Sequence, residues 1–434
     1  ATGTTIFSTM SALAARHGAV NLGQGFPDFD CDPQLVEFVH QAMRAGHNQY
    51  PPMTGVPALR EAVAARIAAQ YGRYYDPDTE ITITAGATQA LFTAIVATTQ
   101  PGDEVIVLDP CYDSYEPAIR LAGAIPVRVP LAITRPGDNT GNASNASNAS
   151  NASNTSNTSN TSNTSNTGNT GNTSSTSSTS SQPPGDDESA SMAFSPDFAA
   201  IAAAISPRTR LMIINTPHNP TGTVWSAADM QRLQEILAPT RIALISDEVY
   251  AHMVYAPLRH ESAARLPGLA SRAFVIGSFG KTFHVTGWKV GYVAAPAALT
   301  AELRRLHQFN VFCVNTPMQH GIAAYMQNPA PWQQLPAFYA AKRDRFRAGL
   351  AQTRFRLLPC EGAYFQCADI SELHVPERDL PEATFCEWLT REIGVAAIPL
   401  SAFYADGLDQ KLIRFCFAKK DETLQAALQR LARL

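Results

Sequence analysis

Ala273-Phe274-Val275-Ile276-Gly277-Ser278-Phe279-Gly280-Lys281-Thr282 joins an apolar run to a glycine-hinged turn that carries an amine. Apolar residues in unbroken succession, two of them β-branched, read as a strand buried on both faces, as in a parallel sheet covered by helices. The polar residues follow at the strand's carboxyl end, where such sheets gather their ligands. A hydroxyl, Ser278, stands three residues before Lys281, and a second amine, Lys289, eight after it. An aldehyde that bonds to an amine and also carries a phosphate would be served by that trio. Most lysines are solvated surface residues, so the reading depends on the neighbours.

Outward from this stretch the chain alternates strand-like and helix-like segments. Residues 57 to 71 carry Leu59, Val63, Ile67 and Tyr71 at four-residue steps, which predicts an amphipathic helix with Pro57 in its first turn. Ile81-Thr82-Ile83-Thr84 alternates as a strand, and Gly86-Ala87-Thr88 opens a helix to about Thr99. Pro101-Gly102-Asp103 is a turn before the strand Val105 to Leu108. Leu211 to Ile214 and Ile242 to Ile245 read as strands on either side of a helix from Ala227 to Leu237. The expectation is an α/β fold, a mainly parallel central sheet with helices on both faces.

Bulk properties suit a soluble enzyme: 434 residues, 45 % hydrophobic, 16 % charged. The net charge of −4, with scattered Lys and Arg, gives no electrostatic footprint for nucleic acid. Cys31, Cys111, Cys313, Cys360, Cys367, Cys386 and Cys416 are odd in number and lack any Cys-x-x-Cys pair. They read as small buried apolar residues in a reducing compartment, with metal binding a poor second and no metal site expected. The start, Ala1 to Phe7, has neither a basic nor a continuous apolar region of a secretory signal, and no apolar run is long enough to cross a bilayer, so a cytoplasmic location is expected. Residues 134–193 differ in kind: Asn-Ala-Ser and Asn-Thr-Ser repeats from Asn142 lead to the acidic Asp186-Asp187-Glu188. Such composition cannot build a core and predicts a disordered surface insertion, which the fold tolerates if its two ends lie close together.

Each expected strand end brings polar residues. Asp247 and Tyr250 follow Ile242 to Ile245; a carboxylate there could keep a pyridine nitrogen protonated, and a phenol could bond the ring oxygen, although Asp247 could equally cap a helix. Asn219, in a Pro- and Gly-rich stretch after Leu211 to Ile214, could donate its amide to that same oxygen. Gly86, Ala87 and Thr88 could cradle phosphate at the positive end of a helix. Tyr112 could stack on a planar ring, and Arg414, a charge inside the apolar Leu412 to Phe417, needs a buried partner: a structural salt bridge or a substrate carboxylate.

Taken in order, Asn21 to Phe29, Gln49-Tyr50, Thr84 to Thr88, Asn215 to Pro220, Ser246 to Tyr250, Ser278 to Lys281 and Ile413-Arg414 resemble the class I/II aminotransferases dependent on pyridoxal 5′-phosphate. Within them, Lys281 to Lys289 is most similar to the methionine and kynurenine–oxoglutarate subgroup. The resemblance implies fold type I, with a large cofactor domain over residues 46–308 and a smaller α+β domain from 1–45 and 309–434. It implies that Lys281 holds the cofactor covalently and then carries the substrate proton. Asp247 pairs with the ring nitrogen, and Tyr250 and Asn219 bond the ring oxygen. Ser278, Lys289, Thr88 and the Gly86-Ala87 backbone hold the phosphate, while Tyr112 stacks on the ring. Arg414 and the Gly25 backbone take the substrate carboxylate, with Phe7 and Phe26 lining the side-chain pocket; His284 and Phe309 are further candidates for its wall. By the same resemblance Tyr50 would reach the phosphate from a neighbouring subunit, which implies a homodimer. The sixty-residue link at 134–193 is the one departure from the short connection of that family.

The expected reaction is ping-pong transfer of an amino group from methionine or another apolar or aromatic L-amino acid to a 2-oxo acid. Kynurenine transamination or β-elimination from cysteine conjugates would use the same site. A non-catalytic cofactor-binding sensor would be expected to carry a DNA-binding module, and the sequence offers none.

Overall fold

A computed structural model describes residues 5–135, 192–373 and 380–434. The seven-stranded sheet is built from β1 (Ile81–Thr84), β2 (Glu104–Asp109), β3 (Ile125–Pro130), β4 (Thr209–Asn215), β5 (Ala243–Asp247), β6 (Ala273–Ser278) and β7 (Gly291–Ala294). Its order is β1-β7-β6-β5-β4-β2-β3; β7 runs antiparallel to both neighbours, and every other pairing is parallel. Register follows the period-two alternation of the apolar residues. Val105, Val107, Leu211, Ile213, Ile245, Phe274 and Ile276 enter one core cluster with the helix Gly86–Thr98. Ile106, Leu108, Met212, Ile214, Leu244 and Val275 point into the other. Both faces are therefore dry, as the unbroken apolar runs predict.

The expected helices Pro57–Tyr71 and Ala227–Leu237 are present with those bounds. The second is fixed by a capping box in which Ser226 and Asp229 satisfy each other's backbone N–H groups. A second, antiparallel sheet contains β8 (Arg356–Leu357), β9 (Phe365–Asp369), β10 (Ile398–Pro399) and β11 (Leu412–Cys416), in the order β8-β9-β11-β10. Its register sets Arg414 between Cys367 and Ile398.

Most of 134–193 lies outside the described residues. Its two ends are described: the strands Ala132–Thr134 and Ala193–Ser195 pair antiparallel, with Thr134 opposite Ala193. Closing a long loop on such a stem costs only logarithmically more with length. All seven cysteines are free; five are buried, whereas Cys31 and Cys313 are half-buried, so the uniform burial expected of them fails at two positions on loops. Among the described residues no helix is long and apolar enough to cross a membrane, and no cluster of side chains could hold a metal ion.

Candidate active site

The carboxyl ends of β4, β5 and β6 converge on a cavity of about 260 Å³. Each parallel strand delivers its last residue there: Asn215, Asp247 and Ser278. Lys281 follows one turn later, in the short helix Phe279–Thr282. Its Nζ donates to the Gly25 carbonyl at 3.1 Å and to the Tyr364 hydroxyl at 2.9 Å. Burial lowers the Lys281 pKa to about 8, with the positive charges of Arg414 and Lys289 acting the same way against Cys416 and Asp247. A useful fraction of neutral amine is therefore present near neutral pH.

Asp247 is 4 % exposed. Its Oδ2 accepts a hydrogen bond from the Tyr115 hydroxyl at 2.7 Å, and its Oδ1 a longer one from the Val249 N–H at 3.3 Å. Burial raises its pKa to about 6, against the pull of those two donors and of Lys281. Among the described residues no side-chain cation bridges to it. Tyr250, also buried, meets Tyr364 and Phe365 edge-on, and burial keeps its phenol protonated.

A chain of amides ties this carboxylate to the far wall. Asn215 Nδ2 donates to the Asp247 carbonyl at 2.8 Å, while Asn215 Oδ1 accepts from the Asn219 N–H at 2.8 Å. Asn219 Oδ1 in turn accepts from Arg414 at 2.6 Å. Arg414 is 1 % exposed and also donates to the Gly23 carbonyl at 3.1 Å, but its Nε is buried without a partner. The guanidinium lies 4.0 Å from the centre of the Phe365 ring, with Phe403 at 5.0 Å and Phe7 at 5.4 Å. Of the two readings open for Arg414, a structural salt bridge lacks its acid among the described residues, where only neutral groups bond it. Burying a cation so costs several kcal/mol, an arrangement that suits a carboxylate arriving with a ligand.

At the opposite end, Gly86 opens the helix Gly86–Thr98 at a φ of +77°, and a Cβ there would stand 3.4 Å from the Lys289 Cε and Nζ. Lys289 itself takes the left-handed conformation, φ 55° and ψ 48°, which closes the turn Thr286–Trp288. Ala85 at the cap supplies no side-chain acceptor, so the helix start offers N–H groups beside an amine, and Thr88 and Ser278 line the same wall. This is a cradle for a phosphate. An uncompensated buried carboxylate, a buried amine, a phosphate cradle and an uncompensated buried guanidinium in one cavity fit pyridoxal 5′-phosphate together with an amino acid.

Gly25, Phe7, Gly86, Ala87, Thr88, Tyr112, Asn219, Asp247, Tyr250, Ser278, Lys281, Lys289 and Arg414 all line the cavity. Phe26 and Tyr50 do not: they are 42 % and 80 % exposed. Phe309 is 85 % exposed, and His284 packs among Phe29, Phe338 and Tyr339, so neither forms its wall. Sequence reasoning missed Asn215, Tyr115, Tyr364 and Phe365. Asn215 had a signal, since the apolar run Leu211 to Ile214 leads directly into it and the strand Thr209–Asn215 ends on it.

A sequence model of aminotransferase class I and II matches residues 18–150 and 188–431. The chain belongs to the class I and II aminotransferases. It is 45 % identical to the Escherichia coli methionine aminotransferase over 100 % of its own length and 96 % of that protein's. It is 36 % identical to a probable N-succinyldiaminopimelate aminotransferase of Mycobacterium tuberculosis, covering 99 % of this chain and 96 % of the relative. Against the rat kynurenine–oxoglutarate transaminase 3 the identity is 34 %, over 97 % of this chain and 86 % of the other. A crystal structure of the E. coli methionine aminotransferase superposes with a TM-score of 0.83, at 45 % identity over 100 % of this chain and 97 % of that one. This aminotransferase has the fold of the pyridoxal 5′-phosphate enzymes of fold type I, and pyridoxal 5′-phosphate is its cofactor.

Proposed function

We propose that this aminotransferase moves the amino group of methionine, and of other apolar or aromatic L-amino acids, to a 2-oxo acid in a ping-pong course. The reading is carried by one cavity that holds a buried amine, Lys281, between an unpaired carboxylate, Asp247, and an unpaired guanidinium, Arg414. Likeness to the E. coli methionine aminotransferase over the whole chain supports the donor. When bound, pyridoxal 5′-phosphate supplies an aldehyde for the amine and a ring that accepts electrons. Arg414 takes the α-carboxylate of the amino acid through its fork, beside the Gly25 backbone. Phe7, Tyr112 and Phe365 present aromatic surface to the side chain. Lys281 would attach the cofactor and, once displaced, would take the proton from the substrate Cα and deliver it to the cofactor's former aldehyde carbon. Asp247 would hold the ring nitrogen's proton, Tyr250 and Asn219 would bond the ring oxygen, and Ser278, Lys289, Thr88 and the Gly86-Ala87 backbone would hold the phosphate.

The two-domain division, 46–308 against 1–45 with 309–434, is part of the same proposal, as is a homodimer in which Tyr50 completes the partner's phosphate site. An exposed aromatic surface supports the dimer: Tyr50 meets Phe312 edge-on at 5.2 Å, and Phe309 stands nearby in sequence. Free cysteines throughout suit a reducing, cytoplasmic setting. A panel of amino donors with several 2-oxo acids, followed through the cofactor's absorbance, tests the donor assignment. Turnover confined to acidic side chains would refute it.

A further inference from the structure

The Lys281 amine does not sit free in the cavity. Its Nζ donates at 3.1 Å to the Gly25 carbonyl and at 2.9 Å to the Tyr364 hydroxyl, and that hydroxyl donates at 2.7 Å to the same carbonyl. The three groups close a triangle. Tyr364 is fully buried and packs edge-on against the rings of Tyr250 at 5.2 Å and Phe365 at 4.9 Å.

A neutral amine has two N–H donors and one lone pair. Gly25 and Tyr364 occupy both donors, which leaves the lone pair as the unspent direction. We propose that Tyr364 is a positioning residue for Lys281: with the Gly25 carbonyl it holds the amine, whenever that amine is not bonded to the cofactor, so that the lone pair is ready for the reacting carbon. The inference rests on the proposed transamination and deepens it. In the proton-transfer step the substrate Cα–H bond breaks, its electron pair stays on the substrate side, and the proton forms a new N–H bond at the lysine. Tyr364 neither gains nor loses a proton in that step. Burial raises its pKa well above that of a free phenol, in keeping with a hydroxyl that orients and does not titrate.

Tyr339 supplies a control. It is equally buried, lies 5.6 Å from Tyr364 ring to ring, and its hydroxyl has no hydrogen-bond partner among the described residues. Tyr364→Phe and Tyr339→Phe each remove one hydroxyl and keep the ring, and melting temperatures verify that both fold.

Two measurements read the role. In cofactor-free protein, pyridoxal 5′-phosphate is added and attachment at Lys281 is trapped at intervals with borohydride. Tyr364→Phe slows attachment by about two- to tenfold, the scale of a lost hydrogen bond between neutral groups, and reaches the same final occupancy. In loaded enzyme, Tyr364→Phe lowers kcat for methionine by about ten- to a hundredfold with KM nearly unchanged, and enlarges the isotope effect of Cα-deuterated methionine. Tyr339→Phe alters neither. Unchanged attachment and an unchanged isotope effect in Tyr364→Phe, or equal losses in Tyr339→Phe, overturn the assignment. Should wild-type enzyme itself fail to remove the Cα deuteron, the transaminase reading fails instead.

Discussion

Replacing Tyr115 by Phe removes one oxygen, 2.7 Å from Asp247 Oδ2, in a place where both side chains are buried at 3 % and 4 % exposure. The phenol donates to a carboxylate, and a charge-assisted hydrogen bond of this kind contributes about 1.5–3 kcal/mol. One pKa unit corresponds to about 1.36 kcal/mol, so in the cofactor-free variant the Asp247 pKa climbs by roughly one to two units. It starts from about 6, already raised by burial above the ordinary carboxylate value. A folded-state pKa above the unfolded one means that the fold favours the protonated form. Stability from Asp247 is then fully present below the unfolded pKa, near 3.9, and is lost as pH rises through the folded one. The variant raises the upper end of that window, so its deficit is small near pH 4.5 and grows to about 1.5–3 kcal/mol at pH 8 or above. Thermal or urea unfolding of cofactor-free wild type and Tyr115→Phe at both pH values measures this. Equal losses at the two would mean that the hydroxyl contributes packing and does not act on the Asp247 charge.

Three further outcomes are expected. Arg414→Ala raises KM for several amino acids by about tenfold to a hundredfold, the scale of about 1.5–3 kcal/mol; KM values within twofold of wild type across the set would remove Arg414 as the carboxylate anchor. The rate at which cofactor-free protein attaches pyridoxal 5′-phosphate rises about tenfold per pH unit below the Lys281 pKa of about 8 and levels off above it, because only neutral amine attacks. A rate still climbing at pH 10 would show an ordinary solvated lysine. Tyr50→Ala subunits and Lys281→Ala subunits, each nearly inactive alone, regain activity when unfolded and refolded together, since a mixed dimer holds one intact site; no recovery in mixed dimers isolated by differential tags speaks against a shared site.

Local signals carried most of the fold. Val105, Val107 and their alternating neighbours had to face opposite sides of a sheet, and both sides proved apolar. The direction of β7 was not legible, because Gly291–Ala294 is too short and uniformly buried to distinguish parallel from antiparallel pairing. At the site, Asp247, Ser278 and Lys281 could be read because a strand end announces them. Tyr115 and Tyr364 could not, since their partners lie 132 and 83 residues away in the chain and no periodicity links them. For Arg414 the sequence leaves salt bridge and substrate anchor both open, because the burial of its Nε without a partner among the described residues depends on the tertiary fold.

The attachment of the cofactor to Lys281 is open to a direct measurement. The chain contains only six lysines, Lys281, Lys289, Lys342, Lys411, Lys419 and Lys420, so a modified peptide identifies its residue cleanly. Holoenzyme is reduced with borohydride, digested, and its peptides weighed by mass spectrometry, with and without prior exposure to methionine. The expected result is a pyridoxyl group on Lys281 alone, and its loss when methionine has first converted the cofactor to its amine form. A pyridoxyl group on Lys289 or another lysine, or labelling of Lys281 that methionine does not diminish, would contradict the account.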